Sequence, residues 1–327
     1  MDKVRVGVVG MGKMGLLHSG ILNVLPDVEF VGACEPVKLT RRILQKALPK
    51  ITIVEDITEL ETLKLDALFI TTPTRSHYAV AKTALDCGIA KNLFIEKPLS
   101  SSYNESKNLS DLINQKGVGM VGYVRRFMVT FMKAKELLDA GSIGKPLSFS
   151  IKMASSDFFQ ISDPTVSIAR GGVMRDLGCY PIDLLLWYFG SCKIDSAELQ
   201  SVTGPGAIDI ANFTVKGDDL VPPGQVSVSW VAEGYRMPEV KFSITGSRGS
   251  LLANDDYVRL DSEVKSTTFY RLNLGDYVNF WLGSPEYYRE DECFIQAITQ
   301  GMPEDPSFES ASTVELAIEE VERKASE

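Results

Sequence analysis

One lysine in the sequence stands where it could exchange a proton with a ligand. Lys97 follows the strand-like run NLFIE (92–96) and precedes Pro98, so it would lie where a buried strand ends and a turn begins. A lysine in such a turn can act as an acid or a base beside a bound molecule. Most lysines are solvated surface charges, and the local sequence leaves both interpretations open.

A second group of polar side chains lies in RGGVMRDLGCYPIDLLLWYFG (170–190), which otherwise resembles a buried helix. At about 100° per residue, Tyr180 lies about 40° from Asp176, and Asp183 lies about 20° to its other side. A carboxylate and a phenol on one stripe could orient a substrate and exchange a proton with it. The alternatives are structural hydrogen bonds for the two aspartates and a core position for the tyrosine.

A glycine-rich turn, VGVVGMGKMG (6–15), joins the first predicted strand to the first predicted helix. In a G-x-G-x-x-G site, Gly10 allows the tight turn, Gly12 lets the backbone approach a pyrophosphate, and Gly15 permits close helix–strand packing. The helix N-terminus supplies N–H donors to the anion. A turn with a purely structural role is the alternative. The residues predicted to contact a dinucleotide here are Gly10, Met11, Gly12, Lys13, Met14 and Gly15.

The choice of dinucleotide depends on Glu35, which ends the second predicted strand about 20 residues after the last glycine. A carboxylate there accepts both ribose hydroxyls of NAD and repels a 2′-phosphate. We therefore favour NAD(H). Lys38, Arg41 and Arg42 follow closely and leave NADP(H) as the alternative, unless they simply form the solvated face of the next helix.

Composition excludes several classes of function. The 327 residues are 44% hydrophobic and 24% charged, which is typical of a globular chain long enough for two domains. A net charge of −9 argues against binding nucleic-acid phosphates. Five cysteines without C-x-x-C favour reduced thiols, and we find no metal-ligand spacing. With neither a signal-peptide pattern nor a long apolar run, we expect a cytoplasmic protein that has no membrane segment.

The elements that position these residues change character near residue 122. Before it, helices alternate with continuously apolar strands, which is typical of a parallel, doubly wound sheet. After it, alternating strands such as 225–232 and 239–246 favour a mostly antiparallel sheet. We therefore predict an α/β protein with domains at 1–122 and 123–327. The segment 155–170 shows no clear period and is interpreted as a loop facing the substrate.

These motifs together resemble the glucose–fructose oxidoreductase / inositol dehydrogenase (Gfo/Idh/MocA) family. The likeness covers essentially the whole chain and includes GMGKMGLLH, TTPTRSHYAVAKTALDCG, FIEKPL, VGYVRRF, GSIGKP, GGVMRDLGCYPIDLL and FSITGSRGSL. The resemblance implies an NAD(P)-binding Rossmann domain followed by a substrate-binding α/β domain. That second domain would have a large open sheet that often mediates oligomerisation.

The resemblance also implies roles for individual residues. Lys97 matches the lysine beside the nicotinamide and the reacting carbon–oxygen bond, and Pro98 would fix a turn of unusual backbone geometry. Asp176 would orient the substrate hydroxyl or Lys97. Arg125 and Arg126 of VGYVRRF would reach the cofactor or the substrate, with a surface salt bridge as the alternative. Further contacts are predicted to the cofactor from Thr71, Thr72, Pro73, His77, Glu96, Lys97 and Arg125, and to the substrate from Lys97, Arg126, Asp176, Tyr180 and Tyr235.

The chain departs from the commonest family pattern at Tyr180, where a histidine is more usual. Its two histidines, His18 and His77, match positions that shape the cofactor site. Ionising an ordinary tyrosine at pH 7 costs about 4 kcal/mol. The ammonium of Lys97 and an oxidised nicotinamide would both favour the phenolate. Glucose–fructose oxidoreductases and dimeric dihydrodiol dehydrogenases are similar in having a tyrosine there.

We therefore expect an NAD(P)-dependent dehydrogenase or reductase that acts on a CH–OH group of a sugar, cyclitol or sugar derivative, with Lys97 and Tyr180 handling the proton. One alternative is an oxidoreductase of dihydrodiols or other non-sugar carbonyls. Another is a catalytically silent, cofactor-sensing regulator of the same fold. An open sheet would leave an apolar face to cover, so we expect a homodimer or homotetramer.

Overall fold

The computed structural model describes residues 3–278, 280, 284–301 and 305–327. The strands are β1 Val4–Val9, β2 Val28–Cys34, β3 Thr52–Val54, β4 Ala67–Ile70, β5 Asn92–Glu96, β6 Gly119–Gly122, β7 Pro146–Ala154, β8 Ile194–Gln200, β9 Ile210–Val215, β10 Gly224–Ser229, β11 Glu239–Gly246, β12 Gly249–Asn254, β13 Tyr257–Ser262 and β14 Ser266–Tyr270. The helices are α1 Lys13–Leu22, α2 Lys38–Ala47, α3 His77–Asp86, α4 Tyr103–Ile113, α5 Val129–Asp139, α6 Pro164–Ala169, α7 Cys179–Phe189, α8 Pro285–Gln300 and α9 Phe308–Lys324.

The chain forms two compact units. The first comprises Met1–Val124 with Val278–Glu315, and the second comprises Arg125–Tyr277 with Leu316–Glu327. Residues near the C-terminus join the first unit because α8 packs against α1. The division into domains at 1–122 and 123–327 stays a prediction. It assigns residues 278–315 to the second domain, whereas in the structure they group with the first unit.

The first unit contains a six-stranded parallel sheet in the order β3-β2-β1-β4-β5-β6. This order confirms the predicted doubly wound fold, in which the chain reverses direction across the sheet between β1 and β4. Its core includes Phe69 and Phe94, whose rings stack 4.6 Å apart, and Phe294 of α8 meets Phe69 edge-on at 5.4 Å. Because all six strands are parallel, their carboxyl ends lie at the same edge of the sheet.

The second unit contains an eight-stranded sheet in the order β14-β13-β12-β11-β7-β10-β9-β8. Among the described strands of this sheet, only β7 and β10 pair in parallel, so the predicted mostly antiparallel sheet is confirmed. Helix α7 packs on one face, where the ring of Tyr188 lies 4.9 Å from that of Phe242.

The opposite face of this sheet is polar. Residues alternate along each strand, so that buried Phe149 and Ile151 on β7 are flanked by Ser150 and exposed Lys152. The same alternation continues on β10 and β11. The expectation of an apolar face that needs covering is therefore wrong, because most positions on this face of β7, β10 and β11 carry hydroxyl, amide or charged side chains.

Two segments of the second unit are more ordered than the sequence indicates. The supposed loop 155–170 contains α6, which Asp163 caps by accepting a hydrogen bond from the Thr165 N–H at 3.0 Å. The predicted helix at 170–190 begins with a π-helical turn, Met174–Gly178, before α7. Because Pro181 has no N–H to donate one turn back, the regular bonding is interrupted just before it.

Candidate active site

The glycine turn has the geometry that a dinucleotide site requires. Gly10 has φ +91°, and a Cβ there would lie 2.9 Å from the Thr72 nitrogen. A Cβ on Gly15 would lie 2.0 Å from the Gly10 oxygen, so the helix can pack this closely only with glycine. A Cβ on Gly12, in contrast, would meet no heavy atom of the described residues within 4 Å. The open position is therefore at Gly12, which precedes the first turn of α1 and its N–H groups.

Glu35 lies directly after β2 and faces the glycine turn. Its Oε2 accepts the Met11 N–H at 3.0 Å, and its Oε1 accepts the Val37 N–H at 2.8 Å. A carboxylate offers about four acceptor positions, so both oxygens can still accept hydroxyl groups. The residues present therefore fit an NAD ribose at this strand end.

The basic residues that follow Glu35 are arranged differently from one another. Arg41 donates to the backbone oxygens of Glu35 and Pro36 at 2.8 and 3.0 Å and also pairs with Glu55. Its guanidinium is thus engaged within the chain, whereas Lys38 and Arg42 are exposed. This arrangement weakens the NADP(H) alternative, because the best-placed guanidinium already has a carboxylate partner.

The loop after β4 joins the glycine turn to the end of β5. The Thr71 hydroxyl donates to the Gly10 oxygen at 2.6 Å. The ring nitrogens of His77 lie 2.7 Å from the Thr72 oxygen and 2.9 Å from the Pro98 oxygen, and burial lowers the pKa of His77. The predicted cofactor residues of this loop therefore lie at the same sheet edge as the glycine turn. Their contacts with a cofactor stay predictions.

The E-K-P turn at the end of β5 is fixed by hydrogen bonds of the buried Glu96 side chain. Lys97 is half-buried, and its N–H donates to Glu96 Oε2 at 3.1 Å. The other oxygen of Glu96 lies 3.1 Å from His18 Nε2 on α1. The Lys97–Pro98 peptide is cis, which agrees with the unusual backbone geometry expected there.

In the second unit, each polar group of the predicted stripe meets a different arginine. Asp176 pairs with Arg170, whose guanidinium also lies 5.2 Å from the Phe158 ring. Tyr180 is half-buried, with the Arg125 guanidinium carbon 5.8 Å from its ring centre. Since Asp176 lies within the π-helical turn that precedes α7, the predicted spacing of 100° per residue does not extend to it.

Asp183 and Arg126 form a buried ion pair. The arginine Nε lies 3.0 Å from both aspartate oxygens, and Nη2 lies 2.6 Å from Oδ1. Both side chains are at most 4% exposed. This geometry supports the structural interpretation of Asp183 and fixes α7 to the turn that contains Arg126. Substrate binding by Arg126 stays an untested prediction.

The remaining two predicted residues have other surroundings. Arg125 pairs with Asp255 and donates to the Pro238 oxygen at 2.7 Å. The ring of Tyr235 lies 5.6 Å from the Lys152 ammonium, on the polar side of the sheet, whereas α7 packs on the other side. Within the second unit, Tyr235 is therefore not brought together with Tyr180.

Sequence reasoning missed Asp291 of α8, whose Oδ1 lies 2.7 Å from His18 Nδ1. Nothing local indicates it, because Asp291 belongs to a helix with several acidic residues. The role of Arg170 as the partner of Asp176 was also missed.

Across the described ranges, no cluster of three or more His, Cys, Asp or Glu side chains could hold a metal ion, and no helix is long and apolar enough to cross a membrane.

Two sequence models of known domains match the chain. Residues 4–123 match the oxidoreductase family with an NAD-binding Rossmann fold, and residues 131–252 match the GFO/IDH/MocA C-terminal domain.

Among individual relatives, the inositol 2-dehydrogenase/D-chiro-inositol 3-dehydrogenase of Lacticaseibacillus casei is 34% identical over 269 residues, or 76% of this chain and 71% of that protein. The NAD(+)-dependent scyllo-inositol 2-dehydrogenase of Bacillus subtilis (strain 168) is 33% identical over 210 residues. The aligned region is 63% of this chain and only 58% of the Bacillus protein. Among solved structures, levoglucosan dehydrogenase in complex with NADH and L-sorbose has the same fold, with a TM-score of 0.87 and 23% identity over 100% of this chain and 97% of that one.

Proposed function

The chain belongs to the Gfo/Idh/MocA family of oxidoreductases, and from this we propose that it transfers hydride between NAD(H) and a hydroxyl-bearing carbon of a sugar, cyclitol or sugar derivative. The observation that carries the proposal is the 34% identity with an inositol dehydrogenase over 76% of the chain. The cyclitol class is therefore the first to test.

The first unit supplies the residues for the dinucleotide. We propose that the N–H groups at Gly12 and the start of α1 bind the pyrophosphate, and that Glu35 accepts the ribose hydroxyls. When bound, the nicotinamide supplies the hydride acceptor or donor. The open space at Gly12 and the remaining acceptor positions of Glu35 support this assignment.

Lys97 and Tyr180 handle the proton in this proposal. In alcohol oxidation, the phenolate oxygen of Tyr180 takes the hydroxyl proton while the carbon loses hydride and becomes a carbonyl carbon. In the reverse direction, the phenol returns the proton. The Lys97 ammonium and the guanidinium of Arg125 are positive charges of the kind that stabilise a phenolate. Asp176, held by Arg170, accepts a hydrogen bond from a neighbouring substrate hydroxyl.

A substrate panel followed by NADH absorbance tests this function. We expect NADH formation with NAD(+) and at least one of myo-inositol, scyllo-inositol, levoglucosan and glucose. The corresponding ketone should be reduced in the reverse direction. Tight NADH binding by calorimetry without turnover of any polyol or ketone would contradict the proposal and favour the cofactor-sensing alternative.

A further inference from the structure

His18 lies between two carboxylates in the interior of the first unit. Its ring is fully buried, with Nδ1 2.7 Å from Asp291 Oδ1 and Nε2 3.1 Å from Glu96 Oε1. A neutral imidazole donates from one nitrogen only, and an ionised carboxylate only accepts. Burial raises the pKa of Asp291, whereas the charge of His18 and its hydrogen bond lower it. With both carboxylates ionised, both contacts are hydrogen bonds only when His18 is an imidazolium.

The surroundings of the ring strengthen these interactions. Phe69 and Phe94 lie 5.6 and 5.2 Å from the His18 ring and exclude water on one side. Among the described residues, the titratable groups that face His18 are Glu96 from β5, and Asp291 and Tyr287 from α8, with the phenol ring edge-on at 6.2 Å. Burial lowers the pKa of His18, but the charge of Asp291 and the hydrogen bonds to both carboxylates outweigh burial and hold it well above its usual range.

Glu96 extends this arrangement to the backbone of Lys97. One of its oxygens faces His18, and the other accepts the Lys97 N–H at 3.1 Å. A carboxylate anchored at one oxygen presents its second oxygen in a fixed direction. The hydrogen bonds thus run without interruption from α8 through α1 to the E-K-P turn.

We propose that His18 is a permanently protonated positioning residue, whose imidazolium joins Asp291 to Glu96 and thereby fixes the backbone of Lys97. The consequence for turnover rests on the function proposed for Lys97, whereas the protonation state of His18 does not. Its effect is indirect, since His18 acts through Glu96 on the residue that handles the proton.

Nitrogen NMR of histidine-labelled protein tests the protonation state, and the chain contains only two histidines. Without cofactor at pH 8, we expect both ring nitrogens of His18 to carry protons. His77 also faces two acceptors, but these are uncharged carbonyl oxygens and burial lowers its pKa, so it should show one protonated and one unprotonated nitrogen. A His77→Gln variant assigns the signals, and Asp291→Asn should cause His18 to lose a proton. A singly protonated His18 in the unaltered protein at pH 8 would overturn the proposal.

Kinetics of His18→Gln test the positioning role. The amide can donate to one carboxylate, but its oxygen then faces the other, which can bond to it only after taking up a proton. We expect kcat to fall by about 10²-fold at pH 8, as small misplacements do, with cofactor affinity nearly unchanged. The ratio of its activity to that of the wild type should recover as the pH is lowered towards the range in which carboxyl groups take up protons.

Phe294→Leu serves as the matched control, because it disturbs the same aromatic cluster without removing a charge. It should lower the thermal stability and keep the wild-type pH profile. A His18→Gln enzyme with that same unchanged profile would show that His18 only packs, and would overturn the proposal. If the wild type turns over no substrate, the proposed function fails, and the ring-nitrogen signals alone decide the assignment of His18.

Discussion

At the scale of single residues, we expect the preference for NAD(H) to depend on the carboxylate of Glu35. It already accepts N–H groups of Met11 and Val37, so its orientation is fixed before a ligand arrives. A fixed charge facing the ribose favours two hydroxyls and repels a phosphate at the 2′ position. The competing cation Arg41 is occupied by Glu55.

Replacing this carboxylate should therefore change the cofactor preference. Hydrogen bonds to a charged group contribute about 1.5–3 kcal/mol, so Glu35→Ala should weaken NADH binding by roughly 10- to 100-fold. The NADPH affinity should rise as the repulsion disappears. Glu35→Gln keeps one acceptor oxygen and should lose less NADH affinity. Calorimetric titration measures both cofactors, and a wild type that prefers NADPH would refute the assignment.

Lys97 and Tyr180 should behave as one catalytic group. Lys97→Ala and Tyr180→Phe should each reduce kcat by about 10²–10⁴-fold, the usual contribution of acid–base catalysis. The double variant should lose little more than either single variant, because groups that act together are not additive. NADH affinity should stay nearly constant in all three. Wild-type turnover in Tyr180→Phe would assign this residue to packing alone.

Tyr180→His tests the same proton by its pH dependence. It introduces the commoner family residue, whose imidazole has a pKa near 6.5 compared with about 10 for a phenol. The activity that survives should therefore have its pH optimum at a lower value than the wild type. Profiles of kcat against pH, measured with saturating cofactor, provide the comparison. An unchanged optimum would mean that another group exchanges the proton.

At the scale of elements, local patterns were predictable and distant pairings were not. The glycine turn and Glu35 lie within a single strand–helix–strand stretch, and turn chemistry is determined locally. His18 and Asp291 are 273 residues apart, so no spacing could pair them. The angular position of Asp176 on the predicted helix 170–190 was wrong. The spacing of 100° per residue assumes α-helical hydrogen bonds, which the π-helical turn does not have.

The buried carboxylate of Asp209 connects several segments around α6 by hydrogen bonds. Asp209 accepts the N–H groups of Val202 and Thr203 at 2.7 and 2.8 Å and the indole N–H of Trp230 at 2.7 Å. The hydroxyl of Ser167 on α6 donates to it at 3.2 Å. Burial alone would raise the pKa of Asp209, but these donors hold it below its usual range. Arg170, the partner of Asp176, follows α6 directly and lies 5.6 Å over the Trp230 ring.

The stability contributed by this carboxylate should depend on pH in a definite direction. A lowered pKa stabilises the fold above the unfolded value of about 3.9, and the contribution is lost as the pH falls through the lower folded value. Asp209→Asn leaves buried donors without an acceptor and should cost about 1–3 kcal/mol at pH 7.

Urea unfolding followed by tryptophan fluorescence measures this difference. The difference in the free energy of unfolding between the wild type and Asp209→Asn should be largest above about pH 5 and should decrease below about pH 4. Asp218→Asn is the control, because Asp218 also accepts two backbone N–H groups but is exposed. It should change stability by less than about 0.5 kcal/mol. A gap that is independent of pH would contradict the role of the charge.

At the scale of the whole molecule, the polar face of the large sheet has a charge pattern that suits a second copy. One row of paired residues crosses this face from β11 to β8 and consists of Lys241, Lys152, Ser227, Asn212 and Glu198. The two lysines are directly opposite each other, which is unfavourable without a counter-charge. Lys152 lies over the Tyr235 ring, and within the described part of the chain neither lysine forms an ion pair. A two-fold axis along β10, between two sheets packed face to face, would place Lys241 of one copy opposite Glu198 of the other.

We therefore expect the wild type to be larger than 36.0 kDa at micromolar concentration, with this sheet at the interface. Glu198→Lys should shift the protein towards monomer, because it sets lysine against lysine across the axis. Combining it with Lys241→Glu restores opposite charges and should restore the oligomer. Glu61→Lys makes the same change in charge at an exposed position of the first unit and should have no effect. Light scattering during size-exclusion chromatography distinguishes these outcomes, and a monomeric wild type would contradict the face-to-face arrangement.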